Sequence, residues 1–171
     1  MLTIAPAQRQ DAPIIERLLQ FHLYECGAEP GQDGMIDWGE PMERFFTDPA
    51  CVPLLFRDDD ELVGFAFVKL DRRLASPDGQ TPIAANLIEE FFILRSHRRK
   101  GLGTLATDLI LDRYPGRWSV TTWPDTCAGA SARFWHYLTI TRSGLDTREF
   151  GPGDHKGFPG QYVWVVEPKR D

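Results

Sequence analysis

The spacing of apolar residues along the chain changes period several times, and each change marks an element. A short alternating stretch, "LTIA" (2–5), suits a first strand. In "DAPIIERLLQFHLYEC" (11–26) the residues Ile14, Ile15, Leu18, Leu19 and Phe21 form one broad apolar face at helical spacing. Asp11 can cap this helix, Pro13 suits its first turn, and Gly27 can end it. "AEPGQDG" reads as a loop and "WGEPMERFF" (38–46) as a short second helix, stopped by "TDP". The period then falls to two. "VPLLF" (52–56) and "ELVGFAFVKL" (61–70) are strands joined by the acidic turn "RDDD", a hairpin signal. After the loop "DRRLASPDGQTP" comes a long strand, "NLIEEFFIL" (86–94). "GLGTLATDLILDRY" (101–114) is a helix with Leu102, Leu105, Leu109 and Ile110 expected inward, ended by "PG". "RWSVTT" (117–122) is a strand and "AGASARFWHYL" (128–138) a helix. "GLDTREF" (144–150) and "QYVWVV" (161–166) are closing strands around the turn-rich "GPGDHKGFPG".

The resulting order is β-α-α-β-β-β-α-β-α-β-β. A hairpin meander followed by strand-helix-strand crossovers is a mixed α/β arrangement, expected here as a single domain over residues 1–171. The chain is 42% hydrophobic and 26% charged, which suits one globular core. No apolar run approaches the ~20 residues that span a bilayer. "MLTIAPAQRQ" lacks the charged and apolar regions of a signal peptide, so a cytoplasmic protein without a membrane partner is expected. The net charge of -6 argues against a general nucleic-acid binder. Cys26, Cys51 and Cys127 lie far apart without a Cys-x-x-Cys, and the four histidines are scattered, so no metal site is expected.

Against this acidic background "LRSHRRKGLG" (94–103) stands out. Arg95, His97, Arg98, Arg99 and Lys100 crowd the elbow between a strand and a glycine-opened helix. Cations just before a helix N-terminus oppose the helix dipole, which prefers anions there. A bound phosphate resolves the conflict, because first-turn amides point at it and glycine lets it approach. Two other readings use the same residues. "GLGTLA" matches the dinucleotide pattern Gly-x-Gly-x-x-Ala, with Asp125 about 20 residues on. That fingerprint places its first glycine directly after the strand, however, whereas "RSHRRK" intervenes here, and a hairpin lies upstream. The elbow also reads as a solvated basic face with turn glycines.

Arg98-Arg99-Lys100-Gly101-Leu102-Gly103 fits Arg/Gln-x-x-Gly-x-Gly/Ala. After a long strand and before an amphipathic helix, it resembles motif A of the GNAT superfamily of N-acetyltransferases. "EEFFILRSHRRKGLG" is similar to the family's "EELYV-x-P-x-YRGKGIG", and "ASARFWHYL" to its "A-x-x-FY-x-x-x-GF" helix. "EFFILRSHRRKGLG", "YPGRW" and "FW" are closer still to a bacterial subgroup with "EFFVLR-x-YRR-x-GVG", "FPG-x-W" and "FW". The resemblance implies the GNAT fold, a mixed, mostly antiparallel twisted sheet of about seven strands with four helices. It also implies an acetyl-CoA site. Backbone amides of Arg98, Arg99, Lys100, Gly101, Leu102, Gly103 and Thr104 would hold the pyrophosphate, and the three cations would meet the phosphates, the 3′-phosphate included. The pantetheine arm would lie along Phe91, Phe92 and Ile93. The implied activity is acetyl transfer to a primary amine of a small molecule or peptide, by direct attack on the thioester. The alternative is a CoA-binding sensor or partner domain without catalysis.

Such chemistry needs a base, because a Lys-like amine has a pKa near 10.4 and keeping it neutral at pH 7 costs roughly 4–5 kcal/mol. Glu89 and Glu90, on an otherwise apolar strand, are the candidates. Neighbours on a strand point to opposite faces, so one of the two is expected in the site, and the sequence leaves open which. Trp135 stands where the family has its acid tyrosine, and an indole cannot usefully protonate a thiolate. It is expected to wall the pantetheine end, with Tyr137 turned to another side of its helix. The resemblance places the acceptor near the first helices and the last loop, where His22, Tyr24, Glu25, Asp33, Asp37 and Trp38 can line it. The oligomeric state stays open, a homodimer included.

Overall fold

The computed structural model describes residues 1–141 and 145–168. Seven strands and four helices follow the expected order. The strands are β1 (Leu2–Pro6), β2 (Cys51–Asp58), β3 (Glu61–Leu74), β4 (Ile83–Ile93), β5 (Trp118–Thr122), β6 (Leu145–Phe150) and β7 (Tyr162–Pro168). They hydrogen-bond in the order β1-β2-β3-β4-β5-β7-β6. The helices are α1 (Ala12–Glu25), α2 (Arg44–Thr47), α3 (Leu102–Arg113) and α4 (Ala130–Thr141). Gly144, where the sixth strand was expected to begin, lies outside the described residues. The chain packs as two compact units, residues 1–68 with 90–114, and residues 69–89 with 115 onward.

In the first unit β1 runs antiparallel to β2, from Leu2 opposite Asp58 to Pro6 opposite Leu54. Ile15, Leu18 and Leu19 of α1 join Phe45, Leu55, Phe65, Phe67 and Phe92 in one buried cluster. Burying each such side chain stabilises the fold by about 1.5–3 kcal/mol. Phe45 stacks on Phe67 with ring centroids 4.0 Å apart. Some details differ from the sequence reading. Phe21 is 58% exposed, because the inner face of α1 turns toward Leu18, Leu19 and His22 instead. The Asp11 side chain does not cap α1. It accepts the Gln8 amide at 2.8 Å and closes the 3-10 turn that precedes the helix. The second helix is a single turn, since Gly39 takes φ +79° and Pro41 supplies no amide hydrogen. In α3 the buried positions are Ala106, Thr107 and Ile110, while Leu105 is 43% exposed. The small residues Ala106 and Thr107 thus help define the inner face, which a count of large apolar residues misses.

Gly64 of β3 is needed for the backbone of β4 to come close. A Cβ at this position would stand 2.1 Å from the Phe92 carbonyl oxygen. Main-chain atoms cannot step aside cheaply, so Gly64→Ala is expected to destabilise the protein by at least about 1–3 kcal/mol. A thermal melt that is unchanged in this variant would show that β3 and β4 do not approach so closely at Phe92.

In the second unit β4 and β5 are parallel, with Asn86, Leu87 and Ile88 opposite Trp118, Ser119 and Val120. β4 continues for five further residues, from Glu89 to Ile93. β7 pairs antiparallel with both β5 and β6. Its run Val163–Val166 is buried, as a central strand covered on both faces requires. Trp135, Leu138 and Thr139 are the buried positions of α4.

Candidate active site

The elbow after β4 is built by backbone geometry. β4 ends at Ile93, a 3-10 turn covers Arg95–His97, and α3 begins at Leu102. Arg99 has φ +64°, and Gly101, the residue before the helix, has φ +80°. The left-handed region costs an L-residue such as Arg99 roughly 1–2 kcal/mol. Strain of this kind clusters at ligand clamps. The first intrahelical bond runs from the Leu105 amide to the Gly101 carbonyl at 3.1 Å. The amides of Leu102, Gly103 and Thr104 therefore belong to the helix opening, where donors lack a partner within the helix. A Cβ built on Gly101 meets nothing within 4 Å, so the space beside this residue is open. Arg99, Lys100 and Gly101 are exposed. The residues present therefore fit an anionic phosphate group.

Arg98 differs from its basic neighbours. Its guanidinium donates to the Ile93 carbonyl at 2.7 Å and pairs with Glu25 at 2.6 Å. It also lies over the Phe92 ring, 5.3 Å from the centroid. The side chain ties the elbow to the end of α1 and the end of β4. Beside it opens a cavity of about 490 Å³ lined by Phe21, Glu25, Phe92, Leu94, Arg95 and Ser96.

The two adjacent strand carboxylates have different partners. Glu89 forms an ion pair with Lys69, which is only 6% exposed. Glu90 accepts from His22 Nε2 at 2.7 Å and from Trp38 Nε1 at 3.4 Å. His22 is buried on α1, its ring 5.3 Å from that of Phe92 and edge-on to Phe65 at 6.2 Å. Glu90 and Phe92, two apart on the strand, thus share the face toward α1. Phe91 packs its ring 5.5 Å from Phe56, and Phe92 and Ile93 are buried. Trp135 is 5% exposed and Tyr137 59% exposed, so the two aromatics do occupy different sides of α4. His22 and Trp38 were two among several lining candidates in the sequence. Their convergence on Glu90 spans 68 and 52 residues of chain, a distance over which no local pattern carries a signal.

A strand, a strained basic elbow and an open helix start form the setting in which the family comparison decides. A model of the acetyltransferase (GNAT) family matches residues 14–135, most of the chain, from α1 to Trp135. The chain belongs to the GNAT acetyltransferase family. It is accordingly an acetyltransferase, of a family that draws its acetyl group from acetyl-CoA. No curated protein matches it significantly. Among solved structures, an acetyltransferase from Thermus thermophilus is 18% identical, with 99% of this chain and 97% of that one covered and a TM-score of 0.63. A Corynebacterium glutamicum structure described as histone acetyltransferase HPA2 and related acetyltransferase is 15% identical, covering 99% and 98%, with a TM-score of 0.64. The diaminobutyrate acetyltransferase of Paenibacillus lautus, solved with L-2,4-diaminobutyric acid and coenzyme A, is also 15% identical, covering 100% and 98%, with a TM-score of 0.56. At these identities the likeness is one of fold. Among the described residues no helix is long and apolar enough to cross a membrane.

Proposed function

We propose that this acetyltransferase moves the acetyl group of acetyl-CoA onto a primary amine of a small molecule or peptide, with Glu90 as the general base. The observation that carries the proposal is the hydrogen bonding of Glu90 to His22 and Trp38 on the α1 face of β4, a few residues before the elbow. The pyrophosphate of the co-substrate is assigned to the amides at the start of α3, with Arg99 and Lys100 as exposed cations toward its phosphates. Arg98, engaged by Glu25 and the Ile93 carbonyl, shapes the elbow. The backbone of Phe91, Phe92 and Ile93 supplies partners for the amide groups of the pantetheine arm. Trp135 is assigned as an apolar wall that donates no proton.

Glu90 would take the proton from the arriving ammonium and leave a neutral amine to attack the thioester carbonyl. The C–N bond forms, the C–S bond breaks, the attacking nitrogen gives its surplus proton to solvent, and solvent protonates the leaving thiolate. Glu89 is set aside for this role because its carboxylate is in an ion pair with the buried Lys69. Thiol release from acetyl-CoA in the presence of a panel of primary amines tests the reading. Release that depends on amine and saturates is expected. Tight acetyl-CoA binding with no amine-dependent release would favour a CoA-binding partner domain.

A further inference from the structure

The Glu90 side chain is 21% exposed and stands among aromatic rings. Trp38, which reaches one of its oxygens, packs 5.2 Å from Phe67 and 5.4 Å from Phe45. His22, which reaches the other, packs against Phe65 and Phe92. The last torsion of a Glu side chain is broad, so N–H donors that meet both oxygens fix the plane of the carboxylate. Both donors come from outside β4, and both occupy places fixed by packing.

We propose that His22 and Trp38 are positioning residues that fix the plane of the Glu90 carboxylate for the incoming ammonium. The proposal rests on the assignment of Glu90 as the base. An indole nitrogen can only donate, so in this contact Trp38 gives its hydrogen to the Glu90 oxygen. His22 Nε2 bonds Glu90, which assigns its hydrogen to that nitrogen, while Nδ1 faces the Cys26 sulfur at 3.7 Å. At the end of α1 Glu25 is paired with Arg98 and Arg95, and Arg98 lies over the Phe92 ring. From β3 come the rings of Phe65 and Phe67, and along β4 the next carboxylate, Glu89, is paired with Lys69. With these groups engaged elsewhere, the two N–H donors are the direct polar contacts of the Glu90 carboxylate among the described residues. The pair works within the chemistry of the base: the proton taken from the ammonium settles on a Glu90 oxygen, while both N–H groups keep their hydrogens.

The test is kcat and KM with a primary amine acceptor in four variants, each with a thermal melt. His22→Leu removes one donor and should lower kcat about 10–100-fold with little change in the KM for acetyl-CoA. His22→Gln keeps an amide N–H and should return most of kcat. Trp38→Phe keeps an aromatic ring but loses the N–H with the pyrrole part of the indole, and should lower kcat by less. An unchanged kcat in both His22→Leu and Trp38→Phe would overturn the proposal, and so would a loss in His22→Leu that His22→Gln does not restore, because packing alone would explain it. If His22→Leu does not fold, Trp38→Phe decides alone, and an unchanged kcat there overturns the proposal. Glu90→Gln separates the two layers: wild-type turnover in that variant removes the assignment of the base itself, whereas its loss together with an unchanged kcat in His22→Leu and Trp38→Phe removes only the role of His22 and Trp38.

Discussion

Glu90→Gln is expected to lower turnover about 10²–10⁴-fold with little change in acetyl-CoA affinity. The amide preserves shape and removes basicity, and its single oxygen can still accept from one of His22 and Trp38. The loss should shrink as pH rises toward the pKa of the acceptor amine, where the amine arrives neutral and needs no base. Glu89→Gln should behave differently. It leaves the Lys69 ammonium, 6% exposed, facing a neutral amide, and breaking such a pair costs on the order of 3 kcal/mol of stability. The expected signature is a lower melting temperature with turnover per folded molecule largely kept. Steady-state kinetics on both variants, each with a thermal melt, checks the contrast. A kinetic defect confined to Glu89→Gln would transfer the role of base to the neighbouring residue.

The second large effect is expected at the elbow. Gly101→Val should weaken acetyl-CoA binding about 100-fold, equivalent to losing two charge-assisted hydrogen bonds of roughly 1.5 kcal/mol each. The side chain would enter the open space beside Gly101 at the start of α3, and φ +80° disfavours a β-branched residue there. The folded state itself should suffer by only roughly 1–2 kcal/mol, because no protein atom stands within 4 Å of the new Cβ. Arg99→Ala should weaken binding less, and by an amount that fades at high salt, as an exposed ionic contact does. Isothermal titration with acetyl-CoA reads all of this. Wild-type affinity in a folded Gly101→Val protein would move the phosphate site away from the elbow.

Periodicity was enough to recover the order of strands and helices, because the changes from period 3.6 to period 2 fall at Gly, Pro and Asp punctuation. The faces of the helices were harder to read. Leu105 and Phe21 are large and apolar yet exposed, whereas Thr107 and His22 are polar and buried. A stripe defined by residue size cannot anticipate a helix that packs through its small residues or buries a histidine beside a carboxylate. The elbow was legible because its chemistry is contiguous, a run of cations against Gly-x-Gly. The partition between Glu89 and Glu90 was not. Strand alternation says that two adjacent carboxylates face opposite ways, and only the tertiary partners, Lys69 for one and His22 with Trp38 for the other, tell them apart. Arg98 likewise looks equivalent to Arg99 in sequence, and the nearby Glu25 makes it a structural clamp.

The central claim is that this chain transfers an acetyl group directly to an amine, and a single-turnover experiment tests it most directly. The protein, in excess over acetyl-CoA carrying a labelled acetyl group, is mixed with the amine that best stimulates thiol release, quenched at successive times, and examined by mass spectrometry. The predicted result is label on the amine nitrogen at the rate at which free thiol appears, with none on the protein at any time. Label that accumulates on the protein first, or thiol release that leaves the amine unlabelled, would contradict it.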